Sequence, residues 1–275
     1  MTFAQVESLP ATKAPDQAGK RKDNRRLVGR RPALFVISIL LGLGVWQVVA
    51  SYYGPALVSS PGQTWSAAVE LAKDGTLWKS ITASSQRIAL GWGLGVVTGV
   101  PLGLVMGRVK IVRELLDPYI QFFRFIPPIA FVTLAIVWFG IGETSKVILI
   151  FYTTIFIVAI NTIAGAMSTD ENKLRAAASL GANRWQILRT VVLPSTVPHI
   201  VTGSRLAMGN SFLTIVSAEI VAAQFGLGAL IWTSRNYGRI DWVFVGIITL
   251  GALGYLFDLV LMFLVKPLSR YGVRT

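Results

Sequence analysis

The chain has 275 residues, of which 53% are hydrophobic and only 14% charged, with a formal net charge of +13. A soluble domain carries about 25% charged residues, so this content, with a mean hydropathy of +0.60, excludes an ordinary soluble globule. There is no cysteine and a single histidine, His199, which removes disulfides and thiolate metal sites and argues against a histidine-based metal centre.

Residues 1–31 are rich in Lys, Arg, Asp, Pro and Ala without apolar periodicity, and read as a basic, disordered tail. Residues 32–275 read as one all-α membrane domain. Six apolar segments of spanning length follow, at about residues 33–53, 88–107, 119–139, 147–167, 203–223 and 242–265. Val48-Val49-Ala50 would suit a signal-peptide cleavage site. The first apolar run is long and its basic flank extended, so an uncleaved span is expected.

Orientation follows from the basic residues between spans. The tail holds eight Lys and Arg, the second loop three, the fourth loop four and the C-terminus three, against three, one and two in the first, third and fifth loops. Eighteen against six places both termini and the fourth loop on the cytoplasmic side of the membrane. The positive charge is thus a topological signal, and no nucleic-acid partner is expected.

The second span carries Gly91, Gly95, Gly99, Gly103 and Gly107 at intervals of four, one ridge on which a second helix can pack closely or slide. Pro101 is a candidate kink. In the third, Pro127-Pro128 prevents a regular helix, so its first part is expected to be a separate cytoplasmic-side segment. Arg124 there either serves an anion path or snorkels to a lipid phosphate.

The fourth span has a polar stripe of Thr154, Asn161 and Gly165. The fifth has Gly203, Ala207, Asn210, Thr214 and Ser217. Such stripes line an aqueous path or hydrogen-bond one helix to another. Thr154, Asn161, Asn210, Thr214, Ser217 and Glu219 are the candidate path residues. Glu219, near the outer end of its span, needs a partner; Arg205 is too far along the helix, and Arg235 or Arg239 from the next loop is expected to hold it. Asp258, deep in the last span, has the same need.

Between the fourth and fifth spans, in a loop of about residues 168–202, lies the segment 175–199, RAAASLGANRWQILRTVVLPSTVPH, too polar and broken to span. It reads as two short helices. Ser168 with Glu171 forms a capping box for the first, Gly181 supplies a left-handed stop, Asn183 with Gln186 repeats the box, and Pro194 ends the second helix. Trp185, Leu188 and Val192 would form an apolar stripe flanked by Arg184 and Arg189. A compact helix–turn–helix of this kind at a membrane surface is suited to docking.

No G-x-x-x-x-G-K-[ST], H-E-x-x-H or G-x-S-x-G sequence occurs, and no catalytic constellation emerges, so the chain reads as a non-enzyme. A self-sufficient secondary carrier or channel would call for inverted repeats and midplane coupling charges, which are not evident.

The docking loop resembles the cytoplasmic EAA loop of ABC importer permeases, E-A-A-x-x-x-G, nine residues, then I-x-L-P. Ala176-Ala177, Gly181 and Val191-x-Leu193-Pro194 match at the right spacing, while Arg175 stands where the family has glutamate. Leu57-Val58-Ser59-Ser60-Pro61, Ser84-x-x-Arg87-x-x-x-Gly91 with Leu102-Gly103, Phe139-Gly140-Ile141-Gly142-Glu143-x-Ser145-Lys146 and Phe225-Gly226-Leu227-Gly228 extend the likeness over about residues 55–265, to permeases of nitrate, sulfonate and taurine importers. The resemblance implies a type I importer fold in a lipid bilayer, with two permease copies, most simply a homodimer, around a path. It implies separate cytoplasmic ATPase subunits holding ATP and Mg, with no cofactor in this chain, and a periplasmic or lipid-anchored solute-binding protein. The docking residues would be Arg175, Ala176, Ala177, Gly181, Arg184, Trp185, Leu188, Val191, Leu193 and Pro194.

Overall fold

A computed structural model describes residues 18–269, and these form helices without a strand. The expected tail falls largely outside the described residues; from Ala18 onward its backbone continues into helix α1 (Ala18–Tyr53). There follow α2 (Pro61–Lys73), α3 (Thr76–Arg108), α4 (Lys110–Phe123), α5 (Pro128–Phe139), α6 (Glu143–Met167), α7 (Glu171–Ser179), α8 (Arg184–Ile187), a π turn over Leu188–Val192, α9 (Leu193–Ala222), α10 (Leu227–Asn236) and α11 (Ile240–Ser269).

Four of these helices are long and apolar enough to cross a membrane: 34–53 within α1, α3, α6 and most of α11. A fifth crossing requires α4 and α5 to be one broken span, and they meet at 99°. The break falls at Pro127-Pro128, as the missing amide hydrogens dictate. The sixth expected span lies within the 30-residue α9, whose length suffices but whose polar side chains keep its hydropathy below that of the others.

The core is α3 on α6 on α9. Gly91, Gly95, Gly99 and Gly103 are buried at the first contact. A Cβ at Gly95 would lie 2.5 Å from Thr154 Cβ, and one at Gly103 2.5 Å from Thr162 Cβ, so the glycine ridge is the contact itself. α3 runs on unbroken through Pro101. The polar stripes meet between α6 and α9, with Thr154 touching both α3 and α9. The Thr154 and Ser211 hydroxyls are 3.3 Å apart, those of Thr153 and Thr214 3.4 Å, and a Cβ at Gly203 would lie 2.7 Å from Asn161 Cβ.

Candidate functional site

The loop between α6 and α9 is built by its end residues. Asp170, not the expected Ser168, caps α7 by accepting from the Asn172 amide at 2.8 Å; the Ser168 hydroxyl donates instead to the Gly165 carbonyl that ends α6. Asp170 wins because it stands directly before the first helical residue, where a side-chain oxygen meets the unpaired amides. Gly181 has φ +81, its amide donates to Ala178 and that of Ala182 to Ala177, which is a Schellman stop. The Asn183–Gln186 capping box is formed, both bonds being 2.8 Å.

Pro194 does not end the second helix. The backbone stays right-handed helical from Arg184 into α9, and the Leu193 amide bonds five residues back to Leu188. The wider π turn makes room for the proline ring, which in a regular helix would collide with the carbonyl one turn earlier. The expected apolar stripe is accordingly divided. Trp185 is 68% exposed, Leu188 is half-buried and Val192 is buried. Leu180, at 88% exposure, is the other large apolar residue the loop presents.

Of the remaining docking candidates, Arg175, Ala176, Gly181 and Arg184 are exposed, and Ala177, Val191, Leu193 and Pro194 half-buried. Arg175 pairs along its own helix with Glu171 at 2.9 Å. A cleft of about 490 Å3 separates Arg184, Ile187 and Leu188 from Leu104, Val105 and Arg108 at the end of α3. No atom lies within 4 Å of a Cβ at Gly181, so its requirement is the backbone angle and not room within this chain.

At the other end of the bundle three of the sequence signatures converge. Ser84 and Arg87, one turn apart on α3, both reach Glu219 of α9: Arg87 Nη1 donates at 2.7 Å and the Ser84 hydroxyl at 2.8 Å. The Gly228 amide donates to the same carboxylate at 2.8 Å, and the Leu227 amide to Ser84 at 2.9 Å. Arg87 also donates to the Phe225 carbonyl at 2.7 Å and, with two nitrogens, to Glu143 at the start of α6. Lys146, itself buried, donates to Gly142 at 3.0 Å and Glu143 at 3.4 Å.

Gly226 makes this possible. Its φ is +144, and a Cβ there would lie 2.3 Å from Glu219 Cδ. The Arg87 side chain is 6% exposed and that of Glu219 0%, a buried pair in which each guanidinium nitrogen and each carboxylate oxygen has a partner.

The expected partners of Glu219 are therefore corrected. Arg239 is held instead by Asp241 and Glu70, each at 2.9 Å, which push its guanidinium above its ordinary value, and Arg235 stacks on Trp232. Asp258 binds Arg205 through two 2.8 Å bonds between α11 and α9. Arg124 lies over the Phe125 ring. Thr154 and Thr214 are buried between α6 and α9, while Asn161, Asn210 and Ser217 are half-buried.

Residues 99–270 match the family model for the binding-protein-dependent transport system inner membrane component. The chain is 36% identical to the taurine transport system permease protein of Escherichia coli (strain K12), covering 90% of this chain and 94% of that protein. It is 31% identical to the putative aliphatic sulfonates transport permease protein of Bacillus subtilis (strain 168), over 96% and 95%. It is 30% identical to a nitrate import permease protein of Leptolyngbya laminosa, over 88% of each. Among solved structures, the methionine ABC transporter MetNI in an inward-facing conformation aligns with a TM-score of 0.63 over 70% of this chain and 96% of that one, at 19% identity. A bacterial ABC transporter involved in alginate import aligns at 0.60 over 91% and 100%, at 16% identity. Matched along most of its length by the family model and almost end to end by these relatives, the chain belongs to the binding-protein-dependent transport inner membrane components, the permease subunits of ABC importers.

Proposed function

We infer that this permease carries a small anionic solute of the taurine, sulfonate or nitrate kind, and that α7 and α8 dock a separate cytoplasmic ATPase that holds the ATP and Mg. The observation that carries the docking assignment is a helix–turn–helix fixed by a Schellman glycine and a capping box, with Trp185 and Leu180 turned outward instead of into the core. The solute class follows from the names of the relatives. A second copy of the chain completes the path, a periplasmic or lipid-anchored binding protein delivers the solute, and both termini and the loop lie inside, a reading the charge asymmetry supports. The test is purification of the tagged chain from its host in mild detergent, with identification of its companions. An ATP-binding subunit whose turnover rises with a solute-loaded binding protein is the expected result. A transport-competent assembly without any ATPase would overturn the assignment.

Two substitutions probe the loop. Gly181→Val forces a β-branched residue to positive φ, and uptake is expected to fall by at least about tenfold while membrane insertion is unchanged. Uptake at the wild-type level would remove the docking role of this turn. Arg175→Glu restores the family residue but puts two carboxylates one turn apart on α7, with Glu171. Uptake within about twofold of wild type is expected, because neighbouring like charges on an exposed helix cost little. Failure to co-purify the ATPase would show instead that Arg175 meets a matched carboxylate on the partner.

A further inference from the structure

Thr154 and Thr214 are spent between α6 and α9, and an open polar stripe lies instead on α4. Arg113, Asp117, Gln121 and Arg124 recur at i, i+4, i+8 and i+11, which puts them on one face of α4 and its C-terminal cap. Ile111, Leu115, Tyr119 and Phe122 keep the same spacing on the opposite face, and all four are exposed. A third face packs inward, with Ile120 buried and the Phe123 ring stacked on Phe156 of α6. The apolar face suits lipid; the polar face needs water.

Depth decides what Arg124 can do. The polar stripe begins beside the end of α6, where Arg113 Nη1 lies 3.1 Å from Met167 Sδ. It finishes at the α4–α5 break, where the Tyr152 hydroxyl donates to the Phe123 carbonyl at 2.5 Å. Tyr152 stands about 13 Å from the start of α6 and about 22 Å from its end, at ~1.5 Å per residue. Arg124 is therefore well inside a hydrocarbon core about 30 Å thick. Snorkelling serves residues near helix ends, and this exposed guanidinium is folded over the next ring, 4.6 Å from the Phe125 centre.

Its charge is not balanced. Among the described residues no carboxylate lies within 4 Å of it. Asp117, two turns back and about 10 Å along the helix, accepts from Gln121 at 3.4 Å. A lone cation at this depth is costly unless it meets water. The backbone broken at Pro127-Pro128 is likewise tolerated there only where protein covers it or a water-filled cavity reaches it.

We propose that Arg124 is the residue of the transport path that receives the solute's oxyanion group, and that Arg113, Asp117 and Gln121 line the aqueous track joining it to the docking-loop end of the membrane. Two guanidiniums against one carboxylate leave the track positive. The planar fork of Arg124 can give a sulfonate or nitrate two parallel hydrogen bonds. This rests on the permease reading with an anionic solute.

The chain has no cysteine, so a single introduced thiol reports on its own surroundings. The test uses the complete importer, in nanodiscs for labelling and in proteoliposomes for uptake of taurine, methanesulfonate and nitrate. Charged methanethiosulfonates, which react in water, are expected to modify Gln121→Cys at least about tenfold faster than Tyr119→Cys on the apolar face. Adding Arg124→Gln is expected to lower the ratio of anionic to cationic reagent rates at Gln121→Cys by about threefold, since a positive charge one turn away is lost. Arg124→Gln alone should cut uptake at least about tenfold with the assembly intact on size exclusion, and Arg124→Lys should recover part of it. An unreactive Gln121→Cys, an unchanged rate ratio, wild-type uptake in Arg124→Gln, or subunits that separate in that variant would overturn the proposal. Any of these beside import of the anions by wild type would remove the role of Arg124 and keep the permease reading. Labelling as expected in an importer that carries none of the three anions would keep the aqueous track and remove the anionic solute, and with it the oxyanion role.

Discussion

Arg87→Met is expected to unfold or strongly destabilise the protein. The substitution leaves the fully buried Glu219 with only the Ser84 hydroxyl and the Gly228 amide, and releases Glu143 and the Phe225 carbonyl as well. Removing one member of a buried ion pair costs about 3–5 kcal/mol, because the charge that remains is desolvated without compensation. That is a large part of the roughly 5–15 kcal/mol that holds a domain together. The measurement is the melting temperature of detergent-solubilised protein followed by size exclusion. Arg87→Met/Glu219→Gln should recover much of the loss, since it deletes the stranded charge together with its partner. Equal melting of wild type and Arg87→Met would show that the cluster does not hold α3, α9 and α10 together.

Gly103→Val is expected to have the next largest effect. A Cβ at this position would stand 2.5 Å from Thr162 Cβ and 2.7 Å from the Ala159 carbonyl oxygen, and backbone cannot swing aside as a side chain can. Accommodating a branched side chain means moving α3 off α6, the most extensive helix contact in the molecule. Overpacking of this kind costs about 1–3 kcal/mol, and more where both surfaces are rigid. Gly93 supplies the control on the same helix. Nothing lies within 4 Å of a Cβ there, so Gly93→Ala should be neutral or stabilising by up to about 1 kcal/mol through helix propensity. A similar melting temperature for Gly103→Val and Gly93→Ala would mean that the glycine ridge is not the closely packed face.

What could be read from the sequence was what is periodic or local. The glycines of α3 announce their neighbour by their spacing, since only a second helix explains a bare ridge along more than four turns. The Pro127-Pro128 break and the Asn183–Gln186 box depend on bonds within a few residues, and both are present. The partner of Glu219 was not legible, because Arg87 stands 132 residues away and no spacing relates them. Its signal was nonetheless in view. Ser84-x-x-Arg87, Gly142-Glu143 and Phe225-Gly226-Leu227-Gly228 are three polar or glycine-rich signatures at the ends of apolar helices, and such fragments are costly there unless they meet. Pro194 misled because proline usually stops a helix; here the π turn before it relieves the collision, a tertiary compromise that composition does not encode. Thr154 and Thr214 are equally instructive. A stripe of small polar residues looks the same whether it faces water or another helix, and these two face each other's helices.

The π turn also sets how force travels. α7 is joined to α8 through a left-handed glycine, a swivel that transmits little torque. α8 has no such joint on its other side, for the helical backbone passes from Arg184 to Ala222 without leaving its right-handed course. Trp185 is thus the handle of a crankshaft whose far end carries Glu219. A displacement imposed on that indole would act on one continuous helix, whose far end carries the carboxylate on which Arg87, Ser84 and the Gly228 amide close.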